Sequence, residues 1–162
     1  WIKDEKWESC LDKWGQYSFS QVVKAYLLAW GQYGDIWKDT AKEWHSLKDK
    51  DIRFFRKLTR KIRHCPSVLY SVSKLLTGIG LAYLNDGIDW IADLLRNNSN
   101  LSNDKLEADT VFYMENLMRK YIFLQSKEIK ENIKTKDDVL AILNFLVEKG
   151  SAVAYMLREK VL

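Results

Sequence analysis

The sequence predicts an all-α fold of antiparallel helix pairs, either an irregular HEAT-like array or an orthogonal multi-helix bundle. Three observations predict it. Apolar residues recur at three- and four-residue spacing in nearly every segment. No segment sustains the apolar–polar alternation of a half-buried strand. One Pro and seven Gly in 162 residues are too few to turn the many short strands of a sandwich or barrel. With 47% hydrophobic and 30% charged residues the chain can bury a core, which excludes global disorder. The length suits a single domain over 1–162, with possible sub-units at 1–64 and 66–162.

The elements follow in order. A short charged segment spans 3–15 and ends near Gly15. Ser18 or Ser20 can cap a helix through Val22, Val23, Tyr26, Leu27 and Trp30, which Gly31 and Gly34 end or bend. Asp35 opens a helix through Ile36, Trp37, Ala41 and Trp44. Asp51 starts another, with Ile52, Phe55, Leu58 and Ile62 on one face. His64-Cys65-Pro66 is a break, because the residue before Pro leaves the α region. Pro66 then suits the first turn of a helix over about 66–84. Asn85-Asp86-Gly87 reads as a turn before a helix through Ile88, Trp90, Ile91, Leu94 and Leu95. Asn97-Asn98-Ser99-Asn100 is the clearest loop. A strong helix is expected from about Asp104 to Gln125, and 126–134 is polar and weakly helical. Thr135 with Asp137 and Asp138 looks like a capped start, the helix stopping at Gly150. Ser151 opens the last helix.

Several classes drop out. Cys10 and Cys65 make no disulfide framework and have no metal-site spacing, so free thiols of a cytoplasmic protein are expected. The most apolar stretch, Val68 to Leu84, carries Lys74, Ser71, Ser73 and Thr77; it reads as a core helix, and no transmembrane segment is expected. The N-terminus has no initiator Met and no apolar signal region. Its abrupt ends, Trp1 and Val161-Leu162, suggest a fragment of a longer chain.

Trp14-Gly15-Gln16-Tyr17 recurs as Trp30-Gly31-Gln32-Tyr33, and helix–turn–helix pairs of about 40 residues run along the chain. The tail Val139 to Ser151, two apolar helices around a tight Gly turn, resembles a HEAT-like pair. Met114 to Tyr121 is similar to the amphipathic helices of HEAT-like and armadillo-like arrays. The resemblance covers 102–162 well and the rest loosely, and the Trp-rich first third departs from the pattern. It implies a scaffold or partner-binding domain, of the kind found in C-terminal parts of large bacterial multidomain proteins. No functional residue carries over.

Two surfaces stand out. The helix at 51–64 carries six cations and one anion, +6 − 1 = +5, while the whole chain is +4; the basic character is therefore local. Arg53, Arg56, Lys57, Arg60, Lys61 and Arg63 are the candidate contacts. Arg forks suit carboxylates and phosphates. The expected partner is another domain of a parent protein or an acidic protein surface, with nucleic acid or an anionic membrane surface as alternatives. Solvated charges paired with acids of neighbouring helices are the simpler account. Trp30, Trp37 and Trp44 are spaced at seven, about two helical turns; Trp37 and Trp44 are candidate aromatic anchors, and a core stripe is the simpler account.

Catalytic chemistry has little to work with. His45 and His64 are the two histidines, and a Cys65–His64 dyad fails because sequence neighbours on a helix do not face each other. Asp89 and Asp93 share a helix face at i, i+4, which capping and surface solvation explain. There is no P-loop and no H-E-x-x-H. No catalytic residue, cofactor or metal is expected, and the role is read as non-enzymatic. The oligomeric state stays open.

Overall fold

The computed structural model describes residues 66–78, 84–98, 105–106 and 109–162, together with Gln21, Arg53, Arg56, Lys57, Thr59 and Arg60. Six α-helices and no strand occur among the described residues, in agreement with the expected all-α class. They are α1 (Pro66–Gly78), α2 (Leu84–Asn97), α3 (Thr110–Leu124), α4 (Ser126–Glu131), α5 (Ile133–Glu148) and α6 (Ala152–Val161). Arg53, Arg56, Lys57, Thr59 and Arg60 are also helical, where a helix from Asp51 was expected. Among the described residues no helix is long and apolar enough to cross a membrane.

The consecutive helices α5 and α6 pack most extensively, and helices further apart in the chain also stack on one another. α1 packs on α3, α2 on α5, and α3 on α6. Directions follow from the side-chain pairs. Asp89 meets Lys134 and Arg96 meets Asp138, so α2 and α5 run the same way. Arg56 meets Asp86 and Arg60 meets Asp93, so the basic segment runs with α2. Asn144 meets Arg158 while Lys136 reaches Leu162, so α5 and α6 are antiparallel. One layer thus holds the basic segment, α2 and α5. The other holds α1, α3 and α6.

The core lies between these layers. It takes Val68, Leu69, Val72 and Leu76 from α1, Leu84, Ile88, Trp90 and Ile91 from α2, Met114, Leu117, Met118 and Tyr121 from α3, and Val139, Ile142, Leu143 and Leu146 from α5. Trp90 and Tyr121 are the largest fully buried side chains. Burial at i, i+3, i+4 and i+7, seen at Met114, Leu117, Met118 and Tyr121 on α3 and at Val139, Ile142, Leu143 and Leu146 on α5, is the amphipathic pattern expected of core-facing helices.

Four boundaries differ from expectation, each for a local reason. Asn85, Asp86 and Gly87 lie inside α2 and form no turn. A Cβ on Gly87 would sit 2.6 Å from Leu76 Cδ2, so this glycine serves close packing of α2 on α1. α3 begins at Thr110, later than Asp104, because Asp109 takes a left-handed conformation at φ 66°. The segment 126–134 folds as α4 and then the first residues of α5. The cap of α5 is Asn132, whose side chain accepts from the Thr135 N–H at 3.2 Å. Thr135 is therefore the third residue of the helix, and Asp138 lies beyond the first turn.

The C-terminal hairpin forms as expected. Gly150 takes φ +87° after α5. Its N–H donates to Val147 O at 2.9 Å and that of Ser151 to Leu146 O at 3.0 Å, the two bonds of a Schellman motif. Ser151 Oγ then caps α6 by accepting from Ala154 N–H at 2.9 Å.

Candidate interaction surface

The basic segment meets a stripe of acids on α2. Asp86, Asp89 and Asp93 recur at three and four residues, the one polar strip of a helix whose remaining faces are largely buried. Arg56 Nη2 donates to Asp86 Oδ1 at 2.9 Å, and its Nε lies 3.9 Å from Asp89. Arg60 Nε donates to Asp93 Oδ2 at 2.9 Å, and this bond holds the Arg60 guanidinium above its usual pKa range. Asn97 at the end of α2 donates to the Arg60 carbonyl at 2.9 Å. Fully buried Thr59 donates to the Arg56 carbonyl at 3.3 Å.

The network continues into α5. Lys134 Nζ donates to Asp89 and, at 3.0 Å, to Asp138 Oδ2. The hydrogen bond to Asp89 is the main cause raising the lysine's pKa. Arg96 Nη2 donates to Asp138 Oδ1 at 2.5 Å. Four cations (Arg56, Arg60, Arg96, Lys134) thus balance four acids (Asp86, Asp89, Asp93, Asp138). Asp89 and Asp93 are counter-charges between helices, which replaces the surface solvation expected for them. Energetically the members differ. Arg60 is half exposed, and pairs of that kind contribute about 0–1 kcal/mol. The Asp138 side chain is only 3% exposed, so its two cations matter far more.

Beside this network a polar cavity of about 280 Å³ is lined by residues including Arg56, Asn85, Glu128, Thr135 and Tyr121. Tyr121 is fully buried and its hydroxyl donates to Asn85 Oδ1 at 2.7 Å. Burial, aided by the charges of Glu128 and Asp138, pushes its pKa up to about 12. An unfolded tyrosine ionises near pH 10. The raised folded value means the stabilising contribution is complete below pH 10 and is lost as pH rises towards 12. Denaturant unfolding between pH 9 and 12 should therefore show an alkaline loss on the order of 2–3 kcal/mol that is absent in Tyr121→Phe. Parallel pH curves for the two proteins would refute this role.

The expected contact residues separate as follows. Arg56 and Arg60 turn onto α2, while Arg53 and Lys57 are exposed. Lys61, Arg63, Trp37, Trp44, both histidines and both cysteines lie outside the described residues. Among the described residues no group of His, Cys, Asp or Glu could hold a metal ion.

A second surface was not anticipated. On α3, Phe112 is 57% and Phe123 84% exposed. They are 123 − 112 = 11 residues apart, about three turns, and exposed Arg119 lies between them on the same face. The only signal in the sequence was two phenylalanines off the core face of this helix, separated on their own face by Glu115, Asn116, Arg119 and Lys120.

No family model matches the chain, and no curated protein matches it.

Proposed function

We propose that the chain is a non-enzymatic protein-interaction or scaffold domain, working within a larger cytoplasmic protein. The observation that carries this reading is the outward strip Phe112, Arg119 and Phe123 on α3. Aromatics and Arg dominate the energetic centres of protein interfaces, and an exposed pair of Phe side chains costs solubility unless a partner covers it. The layering of the helices supports a HEAT-like array, a scaffold that presents helix faces side by side. The pairing of Arg56 and Arg60 with α2 acids weighs against the nucleic-acid alternative, because those cations are already neutralised.

Affinity capture with the tagged chain, followed by titration of the purified partner against wild type and Phe112→Ser/Phe123→Ser, tests the reading. Binding should weaken at least about tenfold in the variant. Unchanged affinity would remove the α3 strip from the interface. Mobility shifts with DNA and RNA should be absent even at low salt. A salt-sensitive shift lost in Arg53→Glu/Lys57→Glu would put phosphate binding in its place.

A further inference from the structure

At the end of the molecule where α3 and α6 finish and α5 begins, a cavity of about 260 Å³ opens. Ile122, Ile129 and Val161 form its apolar wall, and Lys130, Lys136 and Lys160 its rim. No acid lines it. The contrast with the α2 network is informative. There each of four cations faces an aspartate. Here Lys130 and Lys160 have no ion pair among the described residues, while Lys136 donates to the main-chain oxygen of the last residue, Leu162, at 3.2 Å. Two exposed ammonium groups without counter-charges on the rim of an apolar hollow favour an anionic neighbour.

We propose that this cavity docks an acidic amphipathic segment of the protein partner, one apolar side chain entering between Ile122, Ile129 and Val161 while carboxylates meet Lys130 and Lys160. Both halves of the site are needed for that choice. The apolar wall selects a side chain and the unpaired rim selects its charged neighbours. This rests on the chain being an interaction domain and names the chemistry of what it binds.

The test uses a labelled amphipathic peptide of leucine and glutamate, with a leucine–lysine peptide of the same pattern and polyglutamate as comparisons. The leucine–glutamate peptide should bind and should compete with the captured partner. Lys130→Glu/Lys160→Glu should weaken both at least about tenfold, and because Lys130 and Lys160 are exposed the fold should persist, as circular dichroism will show. Polyglutamate, lacking an apolar anchor, should bind at least about tenfold more weakly. Equal binding of the lysine peptide, no effect of the double reversal, or retention by phosphatidylserine vesicles alone would overturn the proposal. A captured partner that binds wild type and the double reversal alike would overturn it while leaving the interaction-domain reading intact. Absence of any protein partner, with nucleic acid retained, would instead remove that reading.

Discussion

Trp90→Ala is expected to be the most damaging single truncation among the described residues, at about 3–5 kcal/mol. Trp90 is 0% exposed and the largest side chain in the core. Its removal loses the transfer free energy of an indole and leaves a cavity that α2, held between α1 and α5, is poorly placed to fill. The whole domain is held by only about 5–15 kcal/mol, so the variant should sit near the edge of folding. Trp90→Phe keeps most of the apolar volume and should cost clearly less. Urea unfolding of the three proteins measures this. A loss below about 1 kcal/mol in the alanine variant would mean the site collapses freely and the core is not tightly packed there.

Arg96→Met/Lys134→Met comes next. The two cations are exposed enough to be rehydrated when free, but Asp138 is not: its side chain is 3% exposed and accepts from both. Methionine keeps the apolar stems and removes the charges, leaving a buried carboxylate without a counter-ion, at about 3–5 kcal/mol. Adding Asp138→Asn should recover much of that loss, since an amide carries no charge to bury. Arg60→Met, which breaks a pair facing solvent, should cost at most about 1 kcal/mol. Equal losses for Arg60→Met and the double variant would show that burial of Asp138 is not what sets the scale.

The helical class and the core faces were legible because apolar spacing reports one helix at a time. Met114, Leu117, Met118 and Tyr121, or Val139, Ile142 and Leu146, need no knowledge of what they pack against. The C-terminal hairpin was legible too, since Gly150 and Ser151 act through bonds to residues a few positions away. The basic stripe and the Asp89/Asp93 pair were both visible, and pairing of the stripe with acids of neighbouring helices was the simpler account; which acids it meets was not legible. The contact joins residues 30 and 33 positions apart, and nothing local sets that match. Gly87 was misread because glycine marks turns and close helix approach alike, and only the position of Leu76 separates the two. Asn132 and Thr135 are both capping residues, and the competition between them is decided by which backbone N–H is left over. The exposed Phe112 and Phe123 were hidden by the same logic: a periodicity search finds the face that is buried and passes over the one that is not.

The turn at Gly150 also bears on how the chain finds its structure. The Asn144–Arg158 contact across it closes 14 residues, whereas the Asp89–Lys134 contact closes 45. Loop-closure entropy alone favours the shorter by about 1 kcal/mol, and the Schellman bonds and the Ser151 cap preset the reversal. The helices α5 and α6 are therefore expected to form early, with little search. The charge network, whose members come from three distant stretches, is expected to form last, when α2 and the basic segment dock on that hairpin. Substitutions at Leu143 or Ala154 would then slow folding, while those at Arg56 or Asp86 would mainly hasten unfolding.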